Sequence, residues 1–220
     1  MRTVFIAGAH TDVGKTWAAC ALLKAARSRG LTVAALKPVV TGYLPSVATD
    51  TSDPGRLLAA LGRDLTEGAL EAMSPLRFEA ALSPPMAARL EGVTLTLADL
   101  LAVCRPVLAA QTADLLLVEG AGGVMSPLAE DATGLDLQLA LGLPTILVGG
   151  SYLGGVSHAL TALEVLRARG LAVLGVVVSQ SADPDAPDFP QTVAAIARFA
   201  GDVPVLAAPR DDESWASALL

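Results

Sequence analysis

The chain has 220 residues, of which 53% are hydrophobic and only 4% aromatic, and a formal charge of −7 at pH 7. That length and composition suit one large α/β domain whose core is built from Ala, Val, Leu and Ile. The acidic balance argues against a nucleic-acid-binding face, which is normally basic, and the apolar runs are too short and too often interrupted to span a membrane.

The first predicted strand covers residues 2–7, and its apolar run Val4-Phe5-Ile6-Ala7 leads into Gly8-Ala9-His10-Thr11-Asp12-Val13-Gly14-Lys15-Thr16. A helix-forming run follows from Trp17, giving a helix over 14–29 that ends at Gly30 with Arg27 and Arg29 in its last turn. Strand, glycine-bearing loop, Gly-Lys-Thr and helix make the layout of a phosphate-binding P-loop. Backbone N–H groups at the helix N-terminus face the phosphate oxygens, Lys15 spans the β- and γ-phosphates, and Thr16 offers its hydroxyl to Mg²⁺. The usual spacing puts four residues between the two glycines; here five separate Gly8 from Gly14, and Ala9 takes the expected glycine position.

A second strand over 31–36 delivers Lys37-Pro38-Val39-Val40-Thr41-Gly42 at its C-terminal end, the ligand-binding side of an open parallel sheet. Lys37 there reads either as a second phosphate-reading cation or as a solvated strand-end lysine. Residues 43–52 read as loop. Asp53-Pro54-Gly55 then opens a helix with Asp53 at the N-cap and Pro54 at N1. A capping role and a metal-ligating role for Asp53 both stay open, since a carboxylate has two oxygens. Residues 64–92 are the least periodic part. A short strand is expected over 74–78, a proline-started helix after a cap at Ser83, and the whole reads as an insertion over the site. Thr96 caps a helix running to about Gln111, with Pro106 inside it.

A third strand over 113–118 ends in Glu119-Gly120-Ala121-Gly122-Gly123, the outline of a Walker B carboxylate able to hold Mg²⁺ directly or through water. A strand-terminating turn would explain the glycines but not the charge. A short helix over 136–141 and a fourth strand over 144–148 come next. Gly149 to His158 then open a helix over 157–169, whose N-terminus is a second anion site in principle. A fifth strand over 172–178 ends in Ser179-Gln180. A helix to about Ala200, a sixth strand over 203–206 and a closing helix over 211–219 complete the chain. The β-α alternation predicts a doubly wound, mainly parallel sheet flanked by helices, a single domain over 1–220. Cys20 and Cys104 fit no metal or redox spacing and read as reduced core residues. With a strand beginning almost at once there is no room for a signal peptide, and a cytoplasmic protein is expected.

Together, Gly8-x-x-Thr11-Asp12-Val13-Gly14-Lys15-Thr16, Lys37-Pro38-Val39-x-Thr41-Gly42, Ser52-Asp53, Ser83-Pro84, Val118-Glu119-Gly120-Ala121-Gly122-Gly123 and Tyr152-Leu153-Gly154-x-x-Ser157-His158 resemble the dethiobiotin synthetase family of P-loop enzymes. The resemblance runs from residue 2 to about 209, and the five-residue loop spacing is that family's own form. It implies Mg-ATP-dependent insertion of CO₂ between the two amines of 7,8-diaminononanoate. The route is a carbamate and then a carbamic–phosphoric anhydride, with ADP and phosphate released. It implies catalytic roles for Lys37, Lys15 and Thr11, and metal contacts from Thr16, Asp53 and Glu119. Nucleotide contacts fall to Asp12, Val13, Gly14, Lys15, Thr16, Trp17, Glu119, Gly122, Gln180 and Pro209. Substrate contacts fall to Thr11, Asp12, Lys37 and Thr41, and to Gly154, Gly155, Val156 and Ser157 of a partner subunit in a homodimer.

Three positions depart from the family's usual pattern. Ser179-Gln180 stands where an Asn reads adenine; a Gln amide offers the same donor–acceptor pair on a longer arm, so ATP is the expected nucleotide. Ser157 replaces an Asn, and Pro85 stands where a His is common. A cobyrinic acid amidase would need a glutaminase domain for which 220 residues leave no room. A partition- or cell-division-type switch ATPase would carry a second lysine at the place of His10 and a basic amphipathic end; Asp211, Asp212 and Glu213 stand in the last predicted helix.

Overall fold

The computed structural model describes residues 1–44 and 49–220; residues 45–48, part of the loop expected over 43–52, lie outside the described residues. In chain order the first elements are β1 (Arg2–Gly8), α1 (Lys15–Ser28), β2 (Val33–Leu36), β3 (Val39–Thr41), α2 (Asp53–Leu61), α3 (Glu67–Met73), β4 (Leu76–Phe78), α4 (Pro84–Leu90) and α5 (Leu97–Ala110). The remainder are β5 (Leu115–Glu119), β6 (Pro127–Ala129), β7 (Ala132–Thr133), α6 (Gly134–Leu141), β8 (Thr145–Gly150), α7 (Gly155–Ala168), β9 (Val173–Ser179), α8 (Phe189–Phe199) and β10 (Val205–Ala208). A 3₁₀ segment, Ser214–Leu219, closes the chain.

Six strands form one sheet in the order β10-β9-β8-β1-β5-β2, and every pairing in it is parallel. Successive side chains of a strand point to opposite faces, so a strand covered on both sides is apolar throughout. In β5, Leu115 and Leu117 face a core with α1, α2, α3 and Trp215. Leu116 and Val118 face a second core with α4 to α8. The doubly wound single domain is therefore as expected. No helix among the described residues is long and apolar enough to cross a membrane.

The differences from expectation have local causes. Leu31 is outside β2 because the end of α1 uses it: Gly30 takes φ +78° and the Leu31 N–H donates to Ala26 O at 3.1 Å. The N-cap of α2 is Ser52, whose hydroxyl accepts from Gly55 N at 3.2 Å, not Asp53, which is the first residue of the helix. Ser83 stands at the N-cap of α4 but its side chain makes no capping bond. Pro106 lies inside α5 without ending it, and the Thr96 cap is a full capping box with Asp99. The closing helix is 3₁₀, not α.

Residues 64–92 are not a cover over the site. They contain α3, which the aperiodic sequence concealed, and β4, which pairs in parallel with β3 from Val39↔Leu76 to Thr41↔Phe78. A β6–β7 antiparallel pair was also not foreseen. Two or three residues are too few for a period to register.

Because both faces of β5 are packed, Leu116→Ala and Leu117→Ala should each destabilise the protein by about 2–5 kcal/mol. Urea unfolding followed by circular dichroism measures this. A near-neutral result at either position would mean that face is not packed as described.

Candidate active site

The site lies beyond the C-terminal ends of β1, β2 and β5. β1 runs into a loop whose backbone is tightly held: Ala9 N donates to Val148 O at 2.8 Å and Val124 N to Gly8 O at 2.9 Å. A Cβ on Gly8 would stand 2.8 Å from both His10 O and Lys15 Nζ, so no other residue fits there without displacement. Gly14 takes φ +89° immediately before α1, a left-handed conformation that glycine adopts without a Cβ penalty. Asp12, at φ +56°, is the one non-glycine with positive φ among the described residues. Asp tolerates this region better than most side chains do. The extra residue of the loop is thus absorbed by a local reversal of the chain.

Lys15 is buried and its ammonium donates to His10 O at 3.2 Å. Burial, with the nearby charge of Lys37, lowers its pKa from 10.5 to about 8, against the opposing pull of Glu119, Asp53 and Asp12. Lys37, only 3% exposed, directly follows β2. Its ammonium lies 2.6 Å from Glu119 Oε1 and 3.0 Å from Asp53 Oδ2. Burial would depress Lys37, but the charges and hydrogen bonds of Glu119 and Asp53 outweigh it and raise its pKa, so it stays an ammonium. Burial likewise opposes ionisation of Asp53, and Lys37, with Thr16 and Lys15 behind it, overrides that and lowers its pKa. Thr16 Oγ1 donates to the same Glu119 Oε1 at 2.6 Å.

The backbone behind Lys37 is fixed from an unexpected quarter. Lys37 N donates to Met73 O at 2.8 Å, and Ser74 Oγ donates to Lys37 O at 2.6 Å. The end of α3 is therefore the brace of the second lysine. Asp53, released from capping by Ser52, turns its carboxylate to Lys37. Glu119 Oε2 is buried and has no hydrogen-bond partner among the described residues. A buried carboxylate oxygen left unpaired is costly. With Thr16 Oγ1 and Asp53 it forms a set of hard oxygen donors, which suits a cation such as Mg²⁺.

Three cavities meet at this loop. One of about 330 Å³ lies over Lys15, Thr16, Lys37, Thr41, Asp53 and Gly122. A second, of about 460 Å³, runs past Val13, Gly14 and Trp17 to Ser179, Gln180 and Arg210. Asp12, Gly14, Trp17 and Arg56 line both. The third, of about 450 Å³ and largely apolar, lies on the other side of Thr11, between Val124, Met125 and His158. Thr11 lines the first and the third.

The structure thus brings together Thr11, Asp12, Val13, Gly14, Lys15, Thr16, Trp17, Lys37, Thr41, Asp53, Gly122, Gln180 and the buried Glu119. It does not bring Pro209 to a cavity wall; its neighbour Arg210 is there instead, and the Pro209 carbonyl accepts from Asp212 N at 3.3 Å. Gly154, Gly155, Val156 and Ser157 form the N-terminus of α7, with Gly154 at φ +92°, and line none of the three cavities within one chain. The sequence reading missed Arg56, although it stands three residues after Asp53 and hence on the same helix face. It also missed the stacking of His10 on His158, rings 5.4 Å apart and 10° from parallel, with Tyr152 Oη 2.7 Å from His158 Nδ1. These residues are far apart in sequence and carry no shared motif.

The sheet order, the Gly-Lys-Thr loop on α1 and the acidic end of β5 define a P-loop nucleotide-binding protein. A family model described as an AAA domain matches residues 2–213. The ATP-dependent dethiobiotin synthetase BioD of Phenylobacterium zucineum (strain HLK1) is 58% identical over 220 residues, covering 100% of this chain and 94% of the relative. The protein of the same name from Caulobacter vibrioides (strain NA1000 / CB15N) is 55% identical over 96% of this chain and 93% of the relative. The chain belongs to the ATP-dependent dethiobiotin synthetase family. Among solved structures, the hydrogenase maturation factor HypB from Archaeoglobus fulgidus aligns with a TM-score of 0.59 at 13% identity, over 100% of this chain and 87% of that one. The MinC:MinD cell division protein complex of Aquifex aeolicus gives 0.57 at 11% identity, over 100% and 86%. At those identities the likeness extends to the fold alone.

Near pH 8 about half of Lys15 is neutral in the free protein. Phosphate binding supplies the missing negative charge, so nucleotide binding there should take up about half a proton, less as the pH falls and Lys15 is already charged. Calorimetry of ADP binding in buffers of different ionisation enthalpy reads this directly. Lys15→Arg should bind ADP without the uptake; unchanged uptake would assign the proton to another group.

Proposed function

We propose that this chain is a dethiobiotin synthetase, closing the ureido ring of dethiobiotin from 7,8-diaminononanoate, CO₂ and ATP. The observation that carries the reading is the second lysine. Lys37 is held as an ammonium by Glu119 and Asp53, and it faces the same cavity as Lys15, Thr11 and Thr41. A nucleotide-binding switch needs the P-loop; a reaction between two anions needs more positive charge than that.

The chemistry follows from that need. One substrate amine adds to CO₂ and becomes a carbamate, a poor electrophile. Transfer of the γ-phosphoryl group to a carbamate oxygen makes phosphate the leaving group. The neighbouring amine then attacks the carbonyl carbon and the C–O bond to phosphate breaks. Both partners of the transfer are anionic, so the site must neutralise charge as it develops. Lys15 meets the β- and γ-phosphates and Lys37 lies between phosphate and carbamate. The Thr11 and Thr41 hydroxyls orient the carbamate, and the Asp12 carboxylate receives a substrate ammonium. Ring closure by an amine of the same molecule then needs positioning above all.

Thr16, Asp53 and the unpaired Oε2 of Glu119 are the residues that would hold Mg²⁺. When bound, the ion supplies further neutralisation of the triphosphate. Gly14, Val13, Trp17, Gly122 and Gln180 complete the nucleotide site, and Pro209 bears on it only through Arg210. We infer a homodimer in which the α7 N-terminus of one subunit (Gly154, Gly155, Val156 and Ser157) meets the substrate carboxylate bound by the other. The exposed Leu153 beside that N-terminus and the exposed Met125 on the apolar cavity support such a contact. We place the enzyme in the cytoplasm, consistent with two buried free thiols.

Phosphate release from ATP should require both the diamine and bicarbonate; fast hydrolysis with neither would point to a switch ATPase of the same fold. Lys37→Ala should lower turnover by about two or more orders of magnitude. The comparison belongs at a temperature where circular dichroism shows the variant folded, because the change also strands the Glu119 carboxylate. Turnover near the unsubstituted level would remove Lys37 from the reaction.

A further inference from the structure

The cavity beyond Gly14 is where a nucleoside extends once its phosphates rest on residues 14–16, so a base site there depends on the nucleotide site of the proposed function. Gln180 lines this cavity at the end of β9, with Ser179, Ser151, Asp183 and Arg210. Its backbone N–H donates to Ala208 O at 3.0 Å, which extends the β9–β10 pairing by one bond. Its side chain is also engaged. Gln180 Oε1 accepts the backbone N–H of Arg210 at 3.2 Å. A backbone N–H can only donate, so the amide atom that meets it must be oxygen; the chemistry itself decides the orientation of the amide. With the oxygen committed, the side chain has two N–H donors left to offer a base. The paired donor–acceptor edge expected of a Gln amide is not available here. Ser179, preceding it, is too short to supply such a pair.

The two purines differ on the edge such an amide reads. Guanine presents two acceptors, O6 and N7, while adenine presents the N7 acceptor beside the N6 amino donor. A donor-only amide satisfies the first edge and leaves the adenine amino group facing another donor. We propose that Gln180 makes the base site donor-presenting, so that 6-keto purine nucleoside triphosphates serve this enzyme as well as ATP or better. The one carboxylate on this outer part of the cavity, Asp183, is exposed, and its Oδ1 already accepts the Asp185 N–H at 2.9 Å.

The test is steady-state formation of dethiobiotin with saturating diamine and bicarbonate, comparing kcat/KM for ATP, GTP and ITP. GTP and ITP are expected within about threefold of ATP or above it. Gln180→Glu keeps an acceptor for the Arg210 N–H but has no donor, and should lower GTP and ITP at least about tenfold relative to ATP. Three outcomes would overturn the assignment. One is a wild-type preference for ATP above about tenfold. Another is an equal loss for all three nucleotides in Gln180→Glu. The last is an ATP preference that disappears in Asp183→Asn, which would give the discrimination to Asp183. If no nucleotide yields dethiobiotin, the synthetase reading fails instead. Base preference is then decided by displacement of a fluorescent ADP by ADP, GDP and IDP, with the same thresholds.

Discussion

The structure depends on how it keeps a charged pair at the edge of its core. Glu119 ends β5, one of the most buried strands, and Lys37 follows the end of β2 beside it in the parallel register. Removing two such ions from water costs several kcal/mol each, and their attraction offsets this only with good geometry and further hydrogen bonds. Here one Glu119 oxygen takes both Lys37 and Thr16, and Asp53 takes the other side of Lys37. The remaining oxygen has no partner among the described residues. The pair is stable enough to persist and incomplete enough to need something more, which is what a binding site for a cation and a polyphosphate requires.

That constraint reaches into parts of the fold with no chemistry of their own. Lys37 is placed by Met73 and Ser74, so α3 and the small β3–β4 sheet brace the site from behind. Asp53 is free to meet Lys37 because Ser52 takes the capping duty one residue earlier. On the opposite side, the lengthened loop uses Asp12 in a left-handed conformation. This sets Thr11 against the phosphate and apolar cavities, and Gly14 against the phosphate and nucleoside cavities. A loop that only cradled phosphate would have no need to face a third, apolar cavity.

Similarity to other proteins divides in the same way. Relatives at 55–58% identity carry one name over nearly the whole length. Structures with the same sheet at 11–13% identity include a cell division protein and a hydrogenase maturation factor. The sheet and P-loop are thus shared widely, and what separates functions is the set of side chains around them. In this chain those include Lys37, Asp53 and Thr41, with His10 where a switch ATPase would carry a lysine.

Strong local signals were legible in the sequence alone. The apolar strand runs, the Gly-Lys-Thr loop, the glycine helix ends and the charge closing β5 follow from rules that act over a few residues. They were enough for the fold class and for most of the nucleotide site. The tertiary structure decided whatever depended on a partner distant in sequence. It made Lys37 a buried ammonium and not a solvated strand end, because Glu119 and Asp53 lie within 3.0 Å of it. It moved Asp53 from cap to ion pair, brought Arg56 and Arg210 to the cavity walls, and put Pro209 behind them. It also used up the Gln180 oxygen on a backbone donor thirty residues away. A residue's type states which bonds it can make; only the fold determines which of them are already taken.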